Sequence, residues 1–82
     1  MTSEQLKTFL LIAEGRSFSS VAKFLFITQS SVSKRIRELE KEIGQPLFRR
    51  DRSGVYLTNA GKLMKRYAEQ IMNLEKNEIG RA

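Results

Sequence analysis

Apolar residues recur at intervals of three and four along the first forty residues, which predicts three short amphipathic helices over about 3–14, 18–26 and 29–43. Ser17 and Thr28 precede the second and third segments as N-caps, and Thr2 or Ser3 caps the first. The pattern therefore predicts a small helical core. Its inward positions would be Leu6, Phe9, Leu10 and Ala13, then Val21, Ala22 and Leu25, then Val32, Ile36, Leu39 and Ile43.

The helical period ends at Gly44 and Pro46, because Gly suits a left-handed C-terminal position and Pro cannot continue the hydrogen-bond ladder. Two short β-prone runs follow, over 46–50 and 55–57, separated by a polar turn. This arrangement predicts a two-stranded hairpin, or wing, over about 47–57. Arg52 would lie at its tip, with Arg49 and Arg50 on the approach.

A fourth helix, capped by Thr58, is predicted to run to about Ile79 with a near-heptad apolar rhythm. It is longer than the other three and apolar on more than one face, so a second chain is the expected cover. The alternative is that the whole stripe packs on the helical body of the same chain. The dimer contacts would be Met64, Tyr67, Ile71 and Leu74.

Together these elements predict a mainly α fold, a winged helix-turn-helix with a three-helix core and a two-stranded β wing, followed by a long C-terminal dimerisation or linker helix. The first part covers 1–58 and the linker helix 59–82. A chain of 82 residues allows one compact module and leaves little room for a separate catalytic or ligand-binding lobe.

The composition narrows the range of possible functions. The formal net charge is +6 and the sequence pI about 10.1, which favours a polyanionic partner, nucleic acid first and a membrane surface second. Cysteine and histidine are both absent, which removes thiol nucleophiles, the usual zinc ligands and the common proton shuttle. We therefore expect no catalysis, cofactor or metal. No apolar run has the length of a membrane span, so a soluble, cytoplasmic protein is expected.

The outward face of the third helix carries amide, hydroxyl and cationic groups that suit a DNA major groove. The Gln29 amide can pair bidentately with adenine, although a solvated first-turn residue is the alternative. For Lys34 and Arg37 the alternatives are surface ion pairs with Glu38 and Glu40. The base-contacting candidates are Gln29, Ser30, Ser33 and Lys34, and the phosphate or wing candidates are Thr28, Ser31, Arg37, Arg49, Arg50 and Arg52. The wing would contact flanking phosphates or a minor groove, and the alternative is a solvated charged loop.

In order and spacing, these residues resemble the N-terminal winged helix-turn-helix domain of LysR-type transcriptional regulators. The resemblance rests on Ser17-Phe18, Ala22, Leu25, Thr28-Gln29, Val32-Ser33, Ile36-Arg37, Leu39-Glu40, Gly44, Pro46-Leu47-Phe48, Arg50 and Thr58-x-Ala60-Gly61. It implies a homodimer joined by its fourth helices, which binds an interrupted inverted repeat of double-stranded DNA. It also implies a larger effector-binding domain that these residues do not include, so we expect a fragment or a truncated relative that senses a small molecule only through that domain.

The chain departs from this family pattern at three positions. Ser30 stands where Pro is common, and it adds a hydroxyl and a backbone N–H at the start of the reading helix. Phe24 and Phe26 stand where polar or basic residues are usual. If exposed, these two rings would form an adhesive apolar surface. The alternative is that they repack against the wing or the fourth helix, which we favour more for Phe26 than for Phe24.

A protein-interaction module is the competing hypothesis. In that case the fourth helix and exposed Phe24 and Phe26 would bind another protein, and the basic face would only keep the chain soluble. Rising salt separates the two hypotheses, because counterion release weakens DNA binding steeply whereas a hydrophobic interface holds or tightens.

Overall fold

The computed structural model describes the backbone of residues 1–81 and the side chains of residues 1–73. Four helices and one hairpin follow each other in the predicted order. The elements are α1 (Ser3–Ala13), α2 (Phe18–Leu25), α3 (Gln29–Ile43), β1 (Phe48–Asp51), β2 (Gly54–Leu57) and α4 (Asn59–Arg81). The mainly α winged helix-turn-helix architecture predicted from the sequence is confirmed.

Hydroxyl residues determine where the helices begin. The side chains of Thr2, Ser17 and Thr28 each accept a hydrogen bond from the backbone N–H three residues further on, at 3.1, 3.0 and 3.0 Å. Thr58 does the same for α4, accepting from the Gly61 N–H at 3.0 Å. These four caps confirm the predicted helix starts.

The core lies where α1, α2, α3 and the beginning of α4 meet. Its buried apolar residues are Leu6, Phe9, Ile12, Phe18, Val21, Ala22, Val32, Ile36, Leu39, Leu47, Met64 and Ala68. The predicted burial of Ile43 is wrong, because this last residue of α3 lies beyond the packed part of the helix and is exposed. Leu10, Ala13 and Leu25 are only partly buried at the edge of the core.

The wing is an antiparallel pair whose register matches Phe48 with Leu57 and Asp51 with Gly54. Its strands reach one residue further into the turn than predicted, so the loop contains only Arg52 and Ser53. The Phe48 ring anchors the base of the hairpin in the helical body, with ring centroids 5.3 Å from Phe9 and 6.3 Å from Phe18. The wing is thus attached to the core rather than projecting freely.

Helix α4 is joined to the base of the wing by three contacts to the carbonyls of Pro46 and Leu47. The Thr58 N–H donates to the Leu47 carbonyl at 3.0 Å, and the Thr58 hydroxyl donates to the Pro46 carbonyl at 2.7 Å. Gly61 packs directly on the Leu47 carbonyl, so closely that a Cβ atom built there would overlap that oxygen and lie 2.9 Å from Leu57 Cδ2. The absence of a side chain at Gly61 allows this close approach.

A buried polar contact joins α1 and α3. The fully buried Thr8 hydroxyl donates to the Glu4 carbonyl at 2.7 Å and accepts from Arg35 Nη1 at 3.2 Å. Arg35 is therefore a bridge between two helices rather than a solvated surface residue. Separately, none of the described helices combines the length and the hydropathy that crossing a membrane requires.

Candidate nucleic-acid interface

The N-terminus of α3 presents exposed polar groups. The side chains of Gln29 and Ser30 are exposed, and Thr28 lies beside them as the N-cap. Thr28 Oγ1 accepts from the Ser31 N–H and donates to the Ser31 hydroxyl at 2.8 Å. Because that bond uses the Thr28 proton, Ser30 is the donor in the 3.1 Å contact between the Ser30 and Thr28 hydroxyls. The Ser31 hydroxyl keeps its own proton for an outside acceptor.

Two predicted cations differ in their local partners. Lys34 Nζ lies 4.0 Å from a Glu38 carboxylate oxygen, and both side chains are more than half exposed, so this ion pair contributes little. Among the side chains of residues 1–73, no carboxylate lies within ion-pair distance of Arg37. Both cations therefore remain accessible to an anionic partner.

Glu40, which the sequence suggested as a partner for Arg37, has a different role. Its carboxylate accepts from the backbone N–H groups of Leu47 and Phe48, at 2.7 and 3.4 Å. A charged acceptor strengthens such bonds, and here it satisfies the amide just before β1 and the amide of its first residue. Glu40 thus holds the wing at a fixed position beside α3. Sequence spacing alone gave no signal for this contact.

A cleft of about 290 Å³ lies between α3, the start of α2 and the wing. It brings together three of the predicted site residues, Ser33 and Arg37 from α3 and Arg50 from β1. Phe18, Ile36, Glu40 and Phe48 complete the lining. Helix α3 and the wing thus line one cleft, with Arg37 on one wall and Arg50 on the other.

The two arginines of β1 point in opposite directions. The Arg50 guanidinium lies 4.0 Å from the centroid of the Phe18 ring, on the cleft side of the wing. The Arg49 guanidinium lies 5.6 Å from the Tyr56 ring and borders a separate depression with Thr58 and Lys62. The sequence gave these neighbours the same role, but alternation along the strand separates them.

The wing tip is braced by its own side chains. The Ser53 hydroxyl and backbone N–H donate to Asp51 Oδ1 at 2.6 and 2.8 Å, and the Tyr56 hydroxyl lies 2.5 Å from Ser53 Oγ. Those two Ser53 bonds, with a smaller contribution from Arg49, hold the pKa of the Asp51 carboxyl below its ordinary value. Arg52 stays exposed at the tip.

This bracing predicts a pH-dependent turn. Because the folded state lowers the pKa of Asp51, its stabilising effect is present above the unfolded pKa and is lost as the pH falls through the folded pKa. The Ser53 amide resonance, followed by NMR from pH 6 downward, should therefore move towards its unbonded position only in the acid range. Asp51→Asn should remove this titration, and an unchanged titration in that variant would contradict the assignment.

Charge is distributed unevenly over the helix-turn-helix. From Arg16 to Arg37 the sequence contains five cationic residues and no acidic one. This stretch comprises α2, the turn and the first half of α3. A surface of one sign attracts a polyanion along its length and lowers the competition from internal ion pairs.

Two aromatic side chains lie exposed on the same stretch. Phe24 is 56% exposed, and the Arg16 guanidinium lies 5.0 Å from its ring centroid. Phe26 is 95% exposed. Neither ring belongs to the core cluster, so the repacking that we favoured for Phe26 is wrong and the exposed alternative holds for both residues.

The predicted dimer residues on α4 fall into three groups. Met64 is buried in the core of its own chain. Tyr67 and Ile71 are exposed, as is Leu63, and Leu63 and Tyr67 form an open groove with Ile43 at the end of α3. The predicted contact at Leu74 lies outside the residues whose side chains the structure describes.

Comparison with known proteins identifies the family. The family model for bacterial regulatory helix-turn-helix proteins of the lysR family matches residues 3–62. The HTH-type transcriptional regulator HdfR of Salmonella newport (strain SL254) is 48% identical over 73 residues, which are 89% of this chain and 26% of HdfR. The chain therefore spans about a quarter of the length of the curated relatives it matches.

Solved structures show the same architecture. The crystal structure of the CbnR DBD–DNA complex has a TM-score of 0.88 at 31% identity, covering 99% of this chain and 93% of that one. Full-length LysG from Corynebacterium glutamicum with bound effector Arg has a TM-score of 0.87 at 30% identity, covering 99% of this chain and 28% of that one. The relatives are transcriptional regulators rather than enzymes, in agreement with the sequence analysis. The chain belongs to the LysR family of bacterial regulatory helix-turn-helix proteins.

Proposed function

We propose that this chain is the sequence-specific DNA-binding part of a homodimeric LysR-type transcriptional regulator. The observation that carries the proposal is the cleft between α3 and the wing, which places Ser33 and Arg37 of α3 beside Arg50 of the wing. The first turn of α3, which contains Gln29 and Ser30, is polar and exposed. Relatives of the same fold support the proposal, since CbnR is known in complex with DNA.

In the proposed complex, α3 enters the major groove by its N-terminal half. The Gln29 amide donates to and accepts from an adenine edge, and Ser30, Ser33 and Lys34 contact neighbouring bases. The Ser31 hydroxyl and the first amides of α3 bind a phosphate, favoured by the positive end of the helix dipole. Contacts to bases select the sequence, while contacts to phosphates fix the position of the helix.

The wing binds the flanking backbone. Arg52 at the tip is the outermost cation of the hairpin, and Arg50 lies on the cleft side beside α3. Arg49 faces the opposite side with Lys62, so we assign it to a more distant phosphate. The Glu40 carboxylate keeps the wing at a constant distance from the reading helix.

Dimerisation is proposed to occur through the exposed face of α4. Leu63 is 50% exposed and Tyr67 is 54% exposed, and Ile71 continues the same stripe. Two copies that bury this face would remove apolar side chains from water, and a two-fold axis would present two reading helices to an inverted repeat. We further propose that a small effector acts through a separate domain of a longer protein, as LysG carries an effector.

Selection of binding sites from a random duplex DNA pool, at moderate and raised salt, tests the function. We expect enrichment of an interrupted inverted repeat whose half-site spacing reflects the dimer, and steep loss of retention in raised salt. Retention without enrichment would reduce the function to backbone binding. Failure to retain DNA, with a salt-resistant complex to another protein, would favour the interaction module instead.

Arg52 provides a quantitative check of the wing. Arg52→Ala should weaken binding to all sequences alike and reduce the slope of log affinity against log salt by about 1, because one phosphate contact and its released counterion are lost. The matched control is Lys7→Ala, which removes an exposed cation from α1. Equal slopes for Arg52→Ala and the parent chain would remove Arg52 from the interface.

A further inference from the structure

Phe26 has an unusual backbone conformation. It ends α2 with φ 59° and ψ 41°, the left-handed region, and is the one non-glycine residue with positive φ in the described part of the chain. Its N–H donates to the Lys23 carbonyl at 3.3 Å, and the next N–H, of Ile27, donates to the Ala22 carbonyl at 3.0 Å. Gly or Asn normally occupies this position, since a Cβ atom is disfavoured there.

The Phe26 side chain makes no packing contact that would offset the energetic cost of this conformation. At 95% exposure it buries almost no apolar surface, whereas Phe24 is partly covered by the Arg16 guanidinium. A strained residue whose side chain points into solvent indicates a contact that the isolated chain does not make.

The location of Phe26 determines the kind of partner. It precedes the Thr28 cap by two residues and Gln29 by three, so it lies at the edge of the proposed major-groove contact. It also lies inside the acid-free stretch from Arg16 to Arg37. A matching partner is apolar at the atoms that touch the ring and anionic around them. Thymine methyl groups, which project into the major groove between phosphates, meet both conditions.

We propose that Phe26 is a specificity-determining residue that packs against the 5-methyl group of thymine at the edge of each half-site. This inference rests on the proposed function, because it requires α3 in the major groove. In addition to the polar contacts that α3 makes, the turn before α3 would then make one apolar contact. The left-handed backbone at Phe26 directs the ring away from the core and leaves it free for that contact.

Exchange of thymine for uracil tests the proposal. Duplexes recovered by selection from the random pool are prepared with deoxyuridine in place of thymidine, one position at a time, and binding to the full chain is measured. At one position in each half-site we expect affinity to fall about fourfold, the effect of one methyl-sized group left in water. The Phe26→Asn variant should bind duplexes with thymine or uracil at that position equally. The melting temperature of this variant should be unchanged or raised, because asparagine tolerates the left-handed backbone.

Two further variants complete the test. Phe24→Ala, the matched aromatic control, should keep the preference for thymine, and Phe26→Leu should keep a reduced preference because an apolar side chain remains. Absence of any thymine preference in the parent chain, or its persistence in Phe26→Asn, would overturn the assignment while leaving DNA recognition intact. Failure to enrich any site in the original selection would overturn both proposals.

Discussion

Replacing Gly61 by alanine should lower the free energy of unfolding by about 3 kcal/mol, the upper range for forcing a methyl group into a packed core. In an ordinary helix this substitution would stabilise by roughly 0.5–1 kcal/mol, because Ala has the better helix propensity. Here the new Cβ atom would overlap the Leu47 carbonyl oxygen and lie 3.1 Å from the carbonyl carbon. Backbone atoms cannot rotate away, so steric overlap outweighs propensity.

Thermal unfolding measures this effect directly. For a domain of this size, about 3 kcal/mol corresponds to a fall in melting temperature of roughly 12–24 °C. Gly44→Ala is the matched control, because Gly44 has φ 84° but nothing within 4 Å of an added Cβ. It should cost only about 1 kcal/mol, from backbone strain alone. A melting temperature for Gly61→Ala at or above that of the parent chain would show that α4 does not pack on the wing as described.

Replacing Gln29 by alanine should remove sequence discrimination at one base pair of each half-site, a loss of ~1–3 kcal/mol for the preferred base. The amide is exposed at the start of α3 and is not needed for the cap, since the Thr28 hydroxyl supplies that bond. Affinity for random DNA should therefore change little, because non-specific binding depends on the cationic groups.

Competition between the selected site and random duplex DNA gives the affinities for both DNAs in one experiment. The matched control is Gln45→Ala, which removes an exposed glutamine beyond the C-terminal end of α3 and should leave the ratio of affinities unchanged. If Gln29→Ala lowered affinity for both DNAs equally, Gln29 would be a general contact and another residue would read the base.

The sequence predicted those features that depend on local spacing. Helix starts at Ser17 and Thr28, and the left-handed end of α3 at Gly44, follow from the hydrogen-bonding and steric properties of single residues, and the structure confirms them. The order of elements and the exposed polar start of α3 were predicted for the same reason. Periodicity of three and four residues is enough to place a side chain on one face of a helix.

Contacts between distant elements could not be predicted in this way. The bond from Arg35 to the buried Thr8 joins residues 27 positions apart, and only the packing of α1 on α3 brings them together. The same holds for Glu40, whose nearest sequence partners are cations but whose actual partners are two amides of the wing. Phe26 differs, because neither its left-handed backbone nor its nearly complete exposure follows from the spacing of apolar residues.

The peptide groups of Leu47 connect three elements of the fold. The Leu47 N–H is held by Glu40 of α3, and the Leu47 carbonyl is held by Thr58 at the start of α4 and covered by Gly61. The fully buried side chain adds a third attachment, to the core. Helix α4 is therefore fixed to the wing and the helical core, without a flexible joint between them. In a dimer, a change in the crossing angle between the two α4 helices would alter the distance between the two α3 helices. It would thereby alter the length of DNA that the dimer spans.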